Sequence, residues 1–484
     1  MLPLDKLDPA DAWRAWAPSA AEPWDRKWAA HLYRRAAFGA SNEELAQAVK
    51  AGPTDTLDLL LNGQPKAAEM LPTLTDVGRV AATRDGDGTQ LRGWWLYCML
   101  QGGHPLREKM ALFWHNHFAT SNEKVRSADL MFRQNTLFRE HALGKFGPLL
   151  HAVTRDGAML VWLDSNSNVK GKANENYARE LMELFSLGVG NYTEKDVREA
   201  ARAFTGWHTD KSGFRFNAAQ HDTGEKTVLG KTGAWKGDDV VKIVLEQPVC
   251  ARFLIRKLYT FFVSETAPPA ALLEPLCDSF RKSEYDVAAL VKTMLSSRLF
   301  YSEHAFRQRI KSPIEYALGA VQATYRRYET SHDHYRPLAH QSLVKWLTGM
   351  GQALFTPPNV KGWPGGRVWL NTATVLERNN FAAALTSGVL WQPPPEVATF
   401  VVSPDLPPPK ALDPARILEE ENATSPEAVA KALLDVYAPG GVREEVRAKL
   451  VAFIADEKPT GLALAKRARE AAHAILTMPE SQLA

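Results

Sequence analysis

The sequence predicts a mainly α-helical protein: a multi-helical, bundle-like core with a small β-hairpin insertion at about residues 206–236 and a C-terminal helical extension. Apolar residues recur at helical spacing over most of the chain, as in Trp28, Leu32 and Ala36. Glycine and proline fall at breaks between such stretches, where helices end. Residues 206–236 instead show short segments punctuated by glycine, a pattern typical of hairpins.

The predicted organisation has four units. A chain of 484 residues exceeds one ordinary core, since domains usually span about 100–200 residues. An N-terminal arm wraps the surface over residues 1–28, and the helical core spans residues 29–392. A proline-rich linker follows at residues 393–413, and the C-terminal helical extension occupies residues 414–484.

Helix boundaries within the core follow capping and breaking residues. Ser41 and Glu44 form a predicted capping box, and the helix they begin ends at Gly52-Pro53. Thr193 and Asp196 predict a second capped start. The other predicted elements are helices at 90–118, 125–142, 174–187 and 379–390, and an irregular loop at 355–371.

Composition argues against several classes of function. The 58 basic and 55 acidic residues leave a net charge of only +3, and no basic run carries interleaved aromatic residues, so nucleic-acid binding is not expected. No apolar run approaches about 18 residues, so no membrane span is predicted. The N-terminus lacks a basic stretch followed by an apolar one, which predicts a cytoplasmic protein as written, or a periplasmic one if a leader was removed.

Several familiar motifs are absent from the sequence. Cys98, Cys250 and Cys277 form no C-x-x-C pair, which excludes a cysteine-based zinc or redox motif. There is no G-x-G-x-x-G and no P-loop, so no nucleotide cofactor is expected. HExxH, G-x-S-x-G and a doubled Glu-x-x-His are also missing.

The segment from Leu106 to Phe118 contains the pair His115 and His117. A His-x-His pair can place two neutral nitrogens on a metal ion. If the helix continues to Phe118, the two imidazoles face different sides, whereas an end at His115 lets them converge. The alternative is a buried histidine satisfied by a neighbouring carboxylate.

A second polar face follows from residue 174. Asn176, Arg179, Glu180 and Glu183 share one narrow side of a predicted helix. Because Glu180 and Glu183 are separated by three positions, their carboxylates can bind one cation or share a proton. The alternative is a solvated face with an Arg–Glu pair.

Two further candidate sites lie in glycine-rich regions. His208 and the segment from His221 through Asp222 to Lys226 fall in the hairpin region. A His beside an Asp there is typical of a base with its orienting partner, of a metal ligand with the group that orients it, or of a surface turn. Trp363 and Trp369 lie in the Pro/Gly loop, where their rings can bind a sugar or peptide or pack into the core.

These same segments resemble hallmark blocks of the domain-of-unknown-function 1800 family. The blocks occur in order between about residues 29 and 390, so the resemblance covers most of the chain. They are His31–Gly39, Phe113–Ser121, Asn174–Phe185, Asp196–Trp207, His221–Lys226 and Lys361–Asn371.

The resemblance implies little about the reaction, because the activity of that family is unassigned. Its members are bacterial, are often exported by the twin-arginine route, and are often encoded beside a protein of the domain-of-unknown-function 1501 family. It therefore implies a protein partner of the 1501 family, although this sequence shows no twin-arginine leader. It also favours one shared polar site over separate solvated faces.

The resulting hypothesis is a metal-assisted enzyme, with oxidative modification of a peptide or polymer as a possible reaction class. One transition metal ion, Fe, Mn, Zn or Cu, is expected on the mixed ligand set His115, His117, Glu180 and Glu183. Acid–base roles fall to His208, His221 and Asp222. Substrate binding is assigned to Asn176, Arg179, Lys226, Trp363 and Trp369. The alternative function is a non-catalytic helical scaffold that binds a protein partner, or a glycan through the Trp/Pro/Gly loop.

Overall fold

The computed structural model describes residues 2–84, 88–210, 213–324, 341–388 and 413–484. Helices dominate these residues and the strands form two small antiparallel hairpins, which confirms the predicted fold class. Within this part of the chain, no helix is long and apolar enough to cross a membrane. The predicted linker lies outside the described residues except for Asp413.

The first part of the chain is a series of helices in which local capping decides the boundaries. The predicted capping box is confirmed, because Ser41 Oγ accepts from the Glu44 N–H and Glu44 accepts from the Ser41 N–H. These helices are α1 (Pro9–Trp13), α2 (Arg26–Ala36), α3 (Asn42–Ala51), α4 (Pro53–Asn62), α5 (Ala67–Arg84), α6 (Thr89–Gln101) and α7 (Pro105–His117).

The stretch predicted as one helix over 90–118 is two helices, α6 and α7. Gly103 has a left-handed φ of 71°, and Pro105 occupies the first position of α7, where its missing N–H costs nothing. His104 Nδ1 accepts a hydrogen bond from the Arg107 N–H at 3.3 Å and caps the second helix. The glycine and proline therefore override the continuous helical pattern.

The middle of the chain contains the β insertion at the predicted place. Trp207 pairs with Phe216 in the first hairpin, and Lys226 pairs with Gly233 in the second. The stretch predicted as a helix at 174–187 changes from α to π geometry at Leu181. The elements are α8 (Asn122–Val125), α9 (Ala128–Glu140), α10 (Phe146–Thr154), α11 (Gly157–Trp162), α12 (Asn176–Glu180), a π-helix (Leu181–Ser186), α13 (Glu194–Ala203), β1 (Trp207–Asp210), β2 (Gly213–Phe216), β3 (Lys226–Val228) and β4 (Lys231–Gly233).

The remaining elements are helical. The loop predicted at 355–371 is irregular apart from a 3-10 turn at Gly366–Trp369, and the helix predicted from 379 begins earlier, because Asn371 caps it. The helices are α14 (Gly237–Leu245), α15 (Pro248–Phe262), α16 (Ala270–Lys282), α17 (Val287–Ser296), α18 (Pro313–Thr324), α19 (Gln341–Gly349), α20 (Thr372–Thr386), α21 (Ala415–Glu420), α22 (Pro426–Tyr437), α23 (Glu444–Ala455) and α24 (Gly461–Thr477).

Both ends of the described chain pack against the central helices. Near the start, Trp13 Nε1 donates to the Leu272 carbonyl at 2.6 Å. Near the end, Tyr316 of α18 donates from its hydroxyl to the Leu476 carbonyl in α24 at 3.2 Å. Apolar residues of α21–α24 belong to the same hydrophobic cluster as those of α2–α20. The division into separate units stays a prediction.

The helix α7 lies inside the core on nearly every side. Leu106, Met110 and Trp114 are fully buried, and Trp114 Nε1 donates to the Ala142 carbonyl at 3.0 Å. The two charged residues in the middle of the helix are also fully buried, and each forms a salt bridge with a residue of another helix. The two histidines at its C-terminal end are therefore buried with it.

Candidate functional site

Two of the family-like segments, Phe113–Ser121 and Lys361–Asn371, line one cleft of about 610 Å³. Its walls are the C-terminal end of α7, one face of α15, residues 309–315 and the loop at 361–369. The charged side chains that line it are Arg256, Lys257, Glu265, Arg309, Glu315 and Lys361.

His115 is buried beside the cleft among aromatic rings. Its ring contacts those of Trp95, Phe355 and Trp363, with centroids 5.4 to 5.6 Å away. The backbone N–H of Phe355 donates to His115 Nε2 at 3.1 Å. Burial lowers the pKa of His115 to about 3, so the imidazole is neutral at pH 7 and its Nε2 acts as an acceptor.

His117 lines the cleft and has partners on both ring nitrogens. Nε2 lies 3.0 Å from the Phe185 carbonyl oxygen, which only accepts, so Nε2 carries the proton. Nδ1 therefore accepts from the Lys257 ammonium, at 3.1 Å. Burial, and secondly the charge of Lys257, hold the pKa of His117 well below its usual range. The ring is a neutral link between Phe185 and Lys257.

The end of the π-helix explains why two backbone carbonyls beside the cleft accept hydrogen bonds from side chains. The last carbonyls of a helix lack partners within it, and side chains of His or Lys can satisfy them. Here Lys257 Nζ donates to the Leu184 carbonyl at 3.0 Å, and His117 takes the next carbonyl, that of Phe185. Single π-helical turns occur frequently at functional sites. Burial lowers the pKa of Lys257 to about 8.

The two carboxylates of the predicted Glu180–Glu183 face have different neighbours in the structure. The Tyr192 hydroxyl donates to Glu183 Oε2 at 2.7 Å. Partial burial, and next the charge of Glu183, raise the pKa of Glu180, while Arg179 and Lys361 act in the opposite direction. Glu180 is thus close enough to Lys361 at the cleft to interact with its charge.

The other two residues of that face bind partners away from the cleft. Arg179 pairs with Glu175 at 3.0 Å and with Glu194 at 2.7 Å. Asn176 donates from its side chain to Asp164 Oδ2 at 3.4 Å. Arg179 thus has two carboxylate partners, and the roles of Arg179 and Asn176 in substrate binding stay predictions.

In the hairpin region, the side chains of His221 and Asp222 have different partners. His221 Nδ1 lies 2.9 Å from the Thr205 carbonyl oxygen. Asp222 accepts two hydrogen bonds from Arg202, at 2.8 and 3.2 Å, and this partner lowers its pKa to about 2. The carboxylate therefore orients Arg202, and the acid–base role of the pair stays a prediction.

Lys226 and His208 also stabilise the insertion. Lys226 Nζ donates to the carbonyls of Asp222 and Gly224, at 2.6 and 2.7 Å, and is almost completely buried. His208 Nε2 lies 2.6 Å from Gln220 Oε1. None of these residues lines the cleft.

The two tryptophans of the loop line the cleft and are mostly buried, each 6% exposed. Asn116, between the two histidines, accepts from the Trp363 N–H at 2.7 Å. Gly362 has a φ of 78°, and a Cβ there would lie 2.2 Å from Asn116 Oδ1, so only glycine fits. The loop is thus fastened to α7, and binding of a sugar or peptide by Trp363 and Trp369 stays a prediction.

Three of the four predicted metal ligands, His115, His117 and Glu183, have hydrogen-bond partners in the structure. Among the residues that the structure describes, no group of three or more His, Cys, Asp or Glu side chains has a geometry that could hold a metal ion. A metal on His117 would have to displace either Lys257 or the Phe185 carbonyl. The metal-assisted enzyme stays a prediction.

Sequence reasoning missed Lys257, Arg256 and Asn116. Lys257 follows Leu254 by three positions on a largely apolar helix, which places a lysine beside the buried face of α15. That pattern in the sequence could have identified Lys257 as a candidate. Asn116 stands within the His-x-His pair itself. Neither position reveals its partner, because Lys257 and His117 are 140 residues apart in the chain.

The fold and the cleft together define a mainly α-helical protein with a charged cleft beside its His-x-His helix. The chain belongs to the family described as Protein of unknown function (DUF1800), which matches residues 31–483. The predicted resemblance is thereby confirmed. Comparison with curated proteins and with solved structures gave no match.

Proposed function

We propose that this protein is an enzyme that binds an anionic substrate in the cleft, with Lys257 as the acid–base group and His117 as the residue that positions it. One observation carries the proposal: Lys257 Nζ donates to His117 Nδ1 at 3.1 Å where both side chains line a cleft of about 610 Å³. A cleft with convergent polar groups and a perturbed pKa is the default candidate for an active site.

The charges of the cleft support an anionic substrate. Four basic side chains line it against two carboxylates. Glu315 is already bound to Lys109 at 2.6 Å and to Arg309 at 3.3 Å. Arg256 and Lys361 are exposed and form no salt bridge with any described residue. A carboxylate or phosphate of a ligand would supply the missing negative charge.

The pKa of Lys257 suits proton transfer. Because its pKa is lowered to about 8, both the amine and the ammonium form are populated near neutral pH. The amine can take a proton from a bound substrate, and the ammonium can return one. The hydrogen bonds to His117 and to the Leu184 carbonyl fix the direction of the Nζ lone pair or third proton.

The proposal is tested first by measuring the pKa of Lys257 in the folded protein. Competitive acetylation followed by mass spectrometry at pH 6–11 reports the apparent pKa, with the exposed Lys449 as an internal reference. We expect half-maximal reactivity near pH 8. Reactivity that rises only near pH 10.5, the ordinary value, would remove the acid–base role.

A ligand screen tests the anionic substrate separately. Citrate, glutamate and glucose 6-phosphate are compared with sodium chloride at equal ionic strength by thermal unfolding. We expect stabilisation by at least one of these anions, and about tenfold weaker binding in the double variant Arg256→Ala/Lys361→Ala. Equal responses of the wild type and this variant would contradict the proposed binding mode.

A second candidate function is the scaffold that binds a protein partner. It is favoured by exposed apolar side chains in the loop at 361–369 and on α20, which follows it: Val368, Val375 and Leu376 are 58%, 49% and 57% exposed. The family resemblance suggests a protein of the domain-of-unknown-function 1501 family as the partner. Co-purification with such a protein should be lost in Val375→Asp/Leu376→Asp and retained in Leu462→Asp, a control residue that is 90% exposed elsewhere.

A further inference from the structure

A second cavity lies where the N-terminal helix α2 meets the C-terminal helices. Its volume is about 50 Å³, and its lining comes from α2, residues 307–323, the end of α22 and residues 476–483. The polar side chains around it are Arg34, Arg307, Lys311, Glu315, Tyr437 and Glu480. Only Glu315 also lines the cleft described above.

The guanidinium of Arg34 is the main anomaly of this cavity. Its Nε and Nη2 atoms are buried, and neither has a hydrogen-bond partner among the described residues. Burial, and next the charge of Arg307, lower the pKa of Arg34 to about 9. Buried charged donors are normally paired, because an unpaired buried charge is strongly destabilising. An acceptor with negative charge is therefore missing from the side chains described.

Two further cations increase the deficit of negative charge. Lys311 Nζ donates to the Ser481 carbonyl at 2.9 Å, and Arg307 donates to the Gly441 carbonyl at 2.7 Å. Both acceptors are neutral. Burial, and next the charge of Arg34, lower the pKa of Lys311 to about 7.

The nearby carboxylates do not compensate these cations. Glu315 is already bound to Lys109 at 2.6 Å and to Arg309 at 3.3 Å. Glu480 forms no salt bridge within the described ranges, although its charge acts on Arg307. Three basic side chains, Arg34, Arg307 and Lys311, thus surround the cavity. Glu480 is the one carboxylate of its lining that forms no salt bridge within the described ranges.

We propose that this cavity binds a small oxyanion, phosphate or sulfate, held by Arg34 and Lys311 with Arg307 at the rim. A water molecule needs roughly 10–15 Å³ of such volume, so 50 Å³ admits an ion with a few oxygens. The planar fork of an arginine matches two oxygens of an oxyanion. The bound ion joins α2 to the segment at 307–311 and neutralises buried charge.

The test uses the full chain with inorganic phosphate as the probe. Binding is measured by calorimetry and by thermal unfolding, against sodium chloride at equal ionic strength. We expect saturable binding with a rise in Tm. Binding should be about tenfold weaker or more in Lys311→Met and in Arg34→Lys, which keeps the charge but loses the fork. The cleft variant Arg256→Ala/Lys361→Ala should keep the phosphate binding that depends on Arg34 and Lys311, and should lose at most a second, weaker site.

The variants also separate this site from the proposed active site. Phosphate binding that is lost only in the cleft variant places the ion in the cleft and overturns the proposal, as does no effect beyond that of chloride. If Arg34→Lys does not fold, the variants Lys311→Met and Arg307→Gln still test the site. Phosphate binding with wild-type affinity in both of them would refute it. Crystals grown with selenate should show anomalous density in the cavity. Anomalous density found only at other places would contradict the proposed site.

Discussion

Lys257 donates a hydrogen bond from Nζ to Nδ1 of His117 across 3.1 Å. The opposite nitrogen of the same ring lies 3.0 Å from the carbonyl oxygen of Phe185. One imidazole thus connects α7, α15 and the π-helix. The stability of this connection depends on the charge of Lys257, and so on pH.

The Lys257 amine should make stability depend on pH in the alkaline range. Its pKa is about 8 in the folded protein and near 10.5 when unfolded, so between these values the unfolded state binds more protons. The free energy of unfolding of the wild type should therefore rise relative to Lys257→Met, by at most about 1.4 kcal/mol per pH unit. Urea unfolding at pH 7.5, 8.5 and 9.5 measures the difference, and a constant difference would contradict the lowered pKa.

His115 should contribute to acid destabilisation. Its folded pKa is about 3 and its ordinary value is 6.5, so below pH 6.5 the unfolded state binds the extra proton. Stability conferred by neutral His115 is complete above pH 6.5 and is lost as pH falls toward 3. His115→Gln keeps an acceptor for the Phe355 N–H but does not titrate. Unfolding free energies of the two proteins should converge between pH 6.5 and 4, and parallel pH curves would speak against this.

Removal of the carboxylate of Glu315 should destabilise the protein strongly. Glu315 binds Lys109 at 2.6 Å in a fully buried position, and Arg309 at 3.3 Å. Glu315→Gln leaves two buried cations unpaired, which should cost about 3–5 kcal/mol. The control Asp58→Asn breaks an exposed pair with Lys292 and should cost at most about 1 kcal/mol. Chemical denaturation compares the two, and similar losses would show that the buried pair has no special weight.

Gly362→Ala should disturb the cleft because of a steric clash with α7. The new Cβ would lie 2.2 Å from Asn116 Oδ1, whereas Gly190, with a similar φ of 86°, has no atom within 4 Å. Both substitutions incur the left-handed penalty of about 1–2 kcal/mol. Only Gly362→Ala should also displace the Trp363 loop, seen as a change in tryptophan fluorescence. Equal effects of the two variants would exclude the clash as the cause.

Elemental analysis decides the predicted metal site. Because both ring nitrogens of His117 have hydrogen-bond partners, we expect freshly purified, untagged protein to hold no stoichiometric transition metal. Near-stoichiometric Fe, Mn, Zn or Cu that is lost in a folded His115→Ala/His117→Ala variant would establish the metal-assisted enzyme instead. The variant His208→Ala serves as the control, since His208 lies away from the cleft.

The sequence by itself determined the local features of this protein. Helical periodicity, the Ser41–Glu44 capping box and the glycine-punctuated hairpins at 206–236 all depend on neighbours within a few positions, and the structure contains each of them. The His-x-His segment could also be identified from the sequence as a candidate functional segment. These features are legible because backbone hydrogen bonds and caps join residues that are close in the chain.

Only the tertiary structure decided which groups meet. Lys257 and His117 are separated by 140 positions, and Asn116 and Trp363 by 247, so no local pattern encodes either contact. The pKa of Lys257 is lowered because packing of α15 against the π-helix buries its side chain. Arg34 lacks partners on two of its nitrogens because the C-terminal helices pack over it on α2. Desolvation and side-chain partners are properties of packing between distant segments, and they decide which polar residues form a site.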